Sequence, residues 1–163
     1  MSVEINYKLT GSGWAECALQ IDDQGIVTTA SYLSDALGSL LQSVVDLLQE
    51  QAEATASFDE EPGEYRWRFQ HIDAQHIALR ILWFDELWSR ALDEKGQVVF
   101  EAKCRLRTFA GAVLSASQQL LAEHGFDSYK AQWVEYDFPL ALQEKLKQLL
   151  VEGRRAQNPV TEK

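Results

Sequence analysis

The sequence predicts an α+β fold: a two-layer domain in which a mainly antiparallel sheet of about six to seven strands carries helices packed on one face. Two patterns lead there. Stretches of period-two alternation, such as Val3, Ile5, Tyr7 and Leu9 against Glu4, Asn6 and Lys8, recur with short turns between them, which favours antiparallel neighbours. Other stretches repeat their leucines at helical spacing and must hide those stripes on a sheet. A third observation concerns organisation. No internal repeat, low-complexity run or linker divides the chain, so residues 1–153 read as one domain and 154–163 as a flexible C-terminal tail.

The first strand turns at TGSG into a second, marked by Ala15, Cys17, Leu19 and Ile21. DDQG then closes a hairpin into the β-branched run IVTTASYL. Ser34 is the expected N-cap of a helix over about 35–50, with Asp35 favourable to its dipole and Leu37, Leu40, Leu41, Val44, Val45 and Leu48 as its buried stripe. ATASF, EYRWRFQHI, HIALRILWF and VVFEAKCRL supply four more strands. In the last of these, Val98, Phe100, Ala102, Cys104 and Leu106 share one face. Thr108 is the expected cap of a second helix that Gly125 ends. After an irregular FDSYKAQWVEYDF, Pro139 opens a third helix, buried through Leu142, Leu146, Leu149 and Leu150 and stopped by Gly153.

The stretch EYRWRFQHIDAQHIALRILWF, residues 64–84, holds two of the three histidines. The aromatic faces coincide if Tyr65 pairs with Trp83, Trp67 with Ile81, Phe69 with Leu79 and His71 with Ile77. Asp73, Ala74 and Gln75 are then the loop, closed by Ile72 and His76. A one-residue slip would move every large apolar side chain to the wrong face, at ~1.5–3 kcal/mol for each. In this register His71 and His76 lie on opposite faces and cannot share a metal. The same register sets Arg68 opposite Arg80, with Arg66 beside them opposite Leu82. Like charges so placed repel. Either carboxylates such as Glu64, Asp85 or Glu101 compensate them, or the three arginines line an interaction face.

No HExxH, GxSxG, P-loop or EF-hand pattern is present, and Gly11 and Gly13 join two strands where a dinucleotide fingerprint would open a helix. No catalytic, cofactor-binding or metal-ligating residue is therefore assigned, and no cofactor is expected. Cys17 and Cys104 lack CxxC spacing and read as buried small hydrophobes in a reduced, cytoplasmic protein. The net charge of −10 is unevenly placed. Between Lys8 and Arg66 there is no lysine or arginine, while Glu16, Asp22, Asp23, Asp35, Asp46, Glu50, Glu53, Asp59, Glu60, Glu61 and Glu64 fall in that interval. Such a field disfavours nucleic acid and anionic membranes and speeds encounter with a basic partner, though a plain solvated surface would show it too. No apolar run approaches the ~20 residues that span a bilayer. Trp88 and Trp133 either contribute a recognition surface or cover a core edge.

The pattern resembles small bacterial α+β proteins, among them immunity proteins of polymorphic toxin systems. The likeness rests on an early W-x-E (Trp14, Glu16), the leucine-rich first helix, the meander after PGE and a final Y-x3-W-x4-FP (Tyr129, Trp133, Phe138, Pro139). It carries over no functional residue. It implies a non-catalytic protein that binds and blocks a cognate toxin, and an acidic chain would suit a basic one. The sequence therefore points first to a protein-interaction module with Arg66, Arg68, Arg80, Asp59, Glu60, Glu61, Trp88 and Trp133 as interaction candidates. A small-molecule-binding or enzymatic α+β domain, with a pocket between sheet and helices lined by Trp133, Tyr136 and Trp88, is the alternative, and a homo-oligomer using its sheet face is a third possibility.

Overall fold

The computed structural model describes residues 1–86 and 91–157, with side chains placed as far as residue 153. Its elements run in the expected order. β1 (Val3–Gly11), β2 (Trp14–Ile21) and β3 (Gln24–Ser31) precede α1 (Ala36–Leu48); β4 (Glu53–Asp59), β5 (Glu64–His71), β6 (His76–Phe84) and β7 (Gln97–Arg105) follow it; α2 (Leu106–Trp133) and α3 (Leu140–Gln157) close the chain. The seven strands are all antiparallel and form two sheets, β1-β2-β3 and β4-β5-β6-β7, with the three helices packed against them. Tyr7 meets Phe58 edge-on across the two sheets, at 6.4 Å between ring centroids, and a single apolar core draws on every strand and helix.

Alternation places the core. On β2, Ala15, Cys17, Leu19 and Ile21 all point inward, and on β5 and β6 Trp67, Phe69, Ile77, Leu79 and Ile81 do the same. The β5–β6 register is the one the aromatic faces demand, from Tyr65↔Trp83 to His71↔Ile77, with Ile72 N–H donating to His76 O at 2.9 Å to close the loop. β7 departs from simple alternation. A bulge lets Ile81 pair with Phe100 and Leu82 with Val98, skipping Val99, so Val98 leaves the core face and is exposed.

Helix ends differ from the sequence expectation for local reasons. The cap of α1 is Asp35, whose Oδ1 accepts from Gly38 N–H at 3.0 Å, whereas Ser34 Oγ accepts from Asp59 N–H and ties the helix to β4. α2 begins at Leu106, directly after β7, with no side-chain cap, so Thr108 lies inside it. Gly125 breaks the helix at φ +70°, but the chain resumes helical geometry to Trp133 where an irregular segment is expected from sequence. α3 passes through Gly153 to Gln157. The Arg107 guanidinium lies against Gly153 where a side chain would stand, and it donates to Leu150 O at 2.7 Å. The rest of the expected tail, residues 158–163, lies outside the described residues.

Burial pushes the Asp35 carboxyl above the ordinary carboxylate value, with the Gly38 N–H opposing that shift. A raised folded-state pKa means the folded protein binds more protons than the unfolded chain, beginning near the unfolded value of about 4 and ending at the raised one. Stability therefore falls as pH rises through that window. Asp35→Asn, which keeps the capping oxygen, is expected to remove this pH dependence, and Asp35→Ala to cost about 1 kcal/mol; urea unfolding across the acid range checks both. The buried Tyr7 and Tyr129 hydroxyls have no hydrogen-bond partner among the described residues, and burial raises both their pKa values. Tyr7→Phe and Tyr129→Phe should each leave the urea midpoint unchanged or raise stability by about 1 kcal/mol.

Candidate functional site

α1 packs on β4 and α2 on β1 and β7, α3 packs on those two helices, and the outward side chains of β4–β7 form a polar face across the second sheet. Cross-strand rows organise it. Thr55, Arg68, Arg80 and Glu101 align in one row, and Glu53, Gln70, Ala78 and Lys103 in the next. Around the small Ala78, every residue of these two rows except Thr55 lines a concavity of about 500 Å³. Its rim carries Arg68, Arg80 and Lys103 against Glu53 and Glu101.

The three arginines converge on one carboxylate. After β6 the chain folds back over the outer face, and the 3₁₀ turn Asp93–Lys95 sets Asp93 above the strands. Asp93 Oδ1 accepts from Arg66 Nη1 at 3.0 Å, and its Oδ2 meets Arg68 Nε at 3.0 Å and Arg80 Nη2 at 3.8 Å. Arg66 also holds Glu64 at 3.1 Å, donates to Ala91 O at 2.8 Å and stacks its guanidinium 4.1 Å from the Phe84 ring centroid. Arg68 bonds Thr55 Oγ1 and approaches Glu53 at 3.6 Å. Arg80 has the weakest hold, and its side chain is 46% exposed. Compensation thus comes from Glu64, as expected, and from Asp93 and Glu53, which the sequence reading missed. Asp85 accepts from the Trp83 indole instead, at 2.8 Å, and among the described residues no ion pair within 4.0 Å engages Glu101. One signal was available: the DEK of residues 93–95 puts acid in the connection from β6 to β7, close in sequence to the strands that carry Arg80 and Glu101.

The remaining candidates scatter. Asp59 is buried, with its carbonyl accepting from Ser31 Oγ at 3.1 Å. Glu60 bonds Thr29 Oγ1 and, secondary to burial, helps raise the Tyr65 pKa. Glu61 is exposed beside a cis bond to Pro62. Trp133 is fully buried, donating its indole N–H to Ser34 O at 2.8 Å, which takes it off the surface. Trp88 lies outside the described residues.

His71 and His76 separate as the register requires. His71 sits between two backbone carbonyls, Nδ1 3.0 Å from Asp73 O and Nε2 2.9 Å from Leu47 O. His76 Nδ1 lies 2.9 Å from Asp73 Oδ1 on the other face. The Gln75 N–H, then the His76 ring, holds the Asp73 carboxyl below its ordinary value. These contacts pin a loop. Among the described residues no three His, Cys, Asp or Glu side chains gather to hold a metal ion. A second hollow, of about 520 Å³, lies where α1, the β5–β6 loop and α2 meet; neither it nor the sheet-face concavity is lined by Trp133 or Tyr136.

Both cysteines are buried free thiols, as expected from sequence. Burial pushes Cys17 up to about 12, and burial with the Asp22 charge pushes Cys104 up to about 11. With so little thiolate at neutral pH, neither is expected to react with a thiol reagent in the folded protein, and both should react in denaturant. Timed colour development with a disulfide reagent measures this.

The architecture defines an α+β protein of two antiparallel sheets and three helices. No protein-family model matches the sequence, and no curated protein matches it. Among solved structures, a chain of a CdiA-CT/CdiI toxin and immunity complex from Enterobacter cloacae is similar at a TM-score of 0.47 and 12% identity, covering 71% of this chain and 99% of that one. Similarity at that level carries no argument about function. No helix among the described residues is long and apolar enough to cross a membrane.

Proposed function

We propose that this chain is a non-catalytic protein-interaction module that receives its partner on the outer face of β4–β7. One observation carries the reading: among the described residues no α-helix covers that face, which presents fixed charge around a concavity of about 500 Å³. Asp93 holds Arg66 and Arg68 rigid, so little side-chain entropy is lost when a partner docks, and Arg80 stays reachable at the rim. Glu60 and Glu61 lie at the β4–β5 turn, at one end of the sheet. The net charge of −10 supports a basic partner, because it accelerates encounter more than it strengthens the final contact. The finer reading, an immunity protein that neutralises a basic toxin in the cytoplasm, rests on the sequence resemblance, with the two buried free thiols suited to a reducing compartment.

The test is affinity capture from the native cell, followed by titration of the purified partner against wild type and Arg80→Ala. A captured protein whose association slows with added salt, and whose complex dissociates at least tenfold faster with Arg80→Ala, supports the proposal. Recovery of no protein together with a co-purified small ligand overturns it.

A further inference from the structure

We propose that β7 is a homodimerisation edge, pairing antiparallel with β7 of a second copy about a two-fold axis through Ala102, so that two four-stranded sheets join as one of eight. β7 is a terminal strand of its sheet, and among the described residues it pairs with β6 alone. Its hydrogen-bond polarity can be read directly. Leu106 N–H donates to Gln75 O at 2.9 Å, continuing the His76↔Arg105 register. By strict alternation Cys104 and Ala102 aim their backbone groups at β6, and Arg105, Lys103 and Glu101 aim theirs away from the sheet. Arg105 N–H agrees, meeting the Met1 sulfur at 3.2 Å, a weak acceptor that a carbonyl would replace.

A second β7 must therefore pair odd residues with odd residues, and the charges select among those registers. With Ala102 on the axis, Glu101 faces the second copy's Lys103 and Lys103 faces its Glu101, as two hydrogen-bonded pairs on the exposed face. The neighbouring registers set Glu101 against Glu101 or Lys103 against Lys103, which repel. Glu101 and Lys103 are both exposed, and neither has an ion-pair partner within its own chain among the described residues. The axial residue is also suited to its place. Residues facing each other in a non-hydrogen-bonded pair come to about 4.5 Å between Cα atoms, and Ala102 is small and half-buried. The bulge at Val99 limits the regular ladder to the span after it, and the exposed Val98 and Val99 flank that span.

Charges and a bulge on a terminal strand can also serve only to keep it from pairing. Charge reversal separates the two roles. Light scattering on the full chain should give twice the 18.5 kDa chain mass for wild type. Glu101→Lys and Lys103→Glu should each give the single-chain mass, and the double reversal should restore the dimer. Independently, Ala102→Cys should cross-link into a disulfide dimer under mild oxidation, because the axial spacing of about 4.5 Å falls within disulfide reach. A wild type that stays at the single-chain mass throughout its soluble range overturns the proposal. So does a dimer that ignores both single reversals, and so does an Ala102→Cys protein that stays uncross-linked.

Discussion

Trp133→Ala is expected to lower the unfolding free energy by about 3–5 kcal/mol, the range for emptying a buried aromatic site. Trp133 shows no exposed surface and stacks on Tyr129 with ring centroids 6.1 Å apart and planes 26° from parallel. Its indole N–H satisfies Ser34 O, just ahead of the Asp35 cap of α1. The substitution removes the ring and leaves that carbonyl short of a donor. Because Ser34 also receives Asp59 N–H, the damage should spread to β4. Trp133→Phe keeps most of the apolar volume and should cost roughly half as much, with the lost hydrogen bond contributing about 1 kcal/mol. Urea denaturation followed by tyrosine and far-UV signals measures both. A Trp133→Ala loss below about 1 kcal/mol would mean that the second half of α2 is not held by this side chain.

The residue also shows where sequence reading reaches its limit. Patterns of period two were legible because each sheet has one buried face, and a slip there exposes every large side chain at once. Hence the β5–β6 pairing follows from matching Tyr65, Trp67, Phe69 and His71 to Trp83, Ile81, Leu79 and Ile77. The helix ends and the fate of Trp133 were less legible because they depend on groups distant in the chain. Ser34 bonds Asp59 and so yields the cap of α1 to Asp35, while Arg107 fills the space beside Gly153 and lets α3 continue. The β7 bulge has no signature in VVFEAKCRL. Only the pairing with β6 turns Val98 outward. At the candidate site, the opposition of Arg68 and Arg80 was derivable from register, and so was the need for a counter-charge. The identity of Asp93 was not, because the path of the 85–96 connection is decided by tertiary contacts. Among them are the cover it gives Phe84, against whose ring Gly96 packs, and the carbonyl of Ala91 that Arg66 takes.

Asp93→Ala is the substitution that bears most directly on that site. Removing one partner of a buried ion pair costs about 3–5 kcal/mol, because the other charge is left uncompensated. Arg66 and Arg68 retain 15% and 33% side-chain exposure and keep Glu64, Glu53 and Thr55, so a loss of about 2 kcal/mol is expected here. Arg80, held at 3.8 Å and half in solvent, should lose little attraction of its own; its part in the deficit is the repulsion it exerts on Arg68 once Asp93 no longer offsets it. Asp93→Asn tests charge with little change of shape: it keeps one acceptor oxygen, for Arg66 or Arg68 but not both, and leaves the repulsion of Arg68 and Arg80 across the strands unbalanced. It should fall between wild type and alanine, and its deficit should shrink as salt is added, since salt screens the repulsion at this partly exposed face. A further arm follows from the geometry. If Asp93 is the brace for the arginine row, Arg80→Gln in the Asp93→Ala background should recover part of the lost stability, and in the wild-type background it should be near neutral. Equal effects in both backgrounds, measured as a double-mutant cycle in urea, would show that Asp93 and Arg80 are energetically independent. Asp93 would then brace Arg66 and Arg68 only.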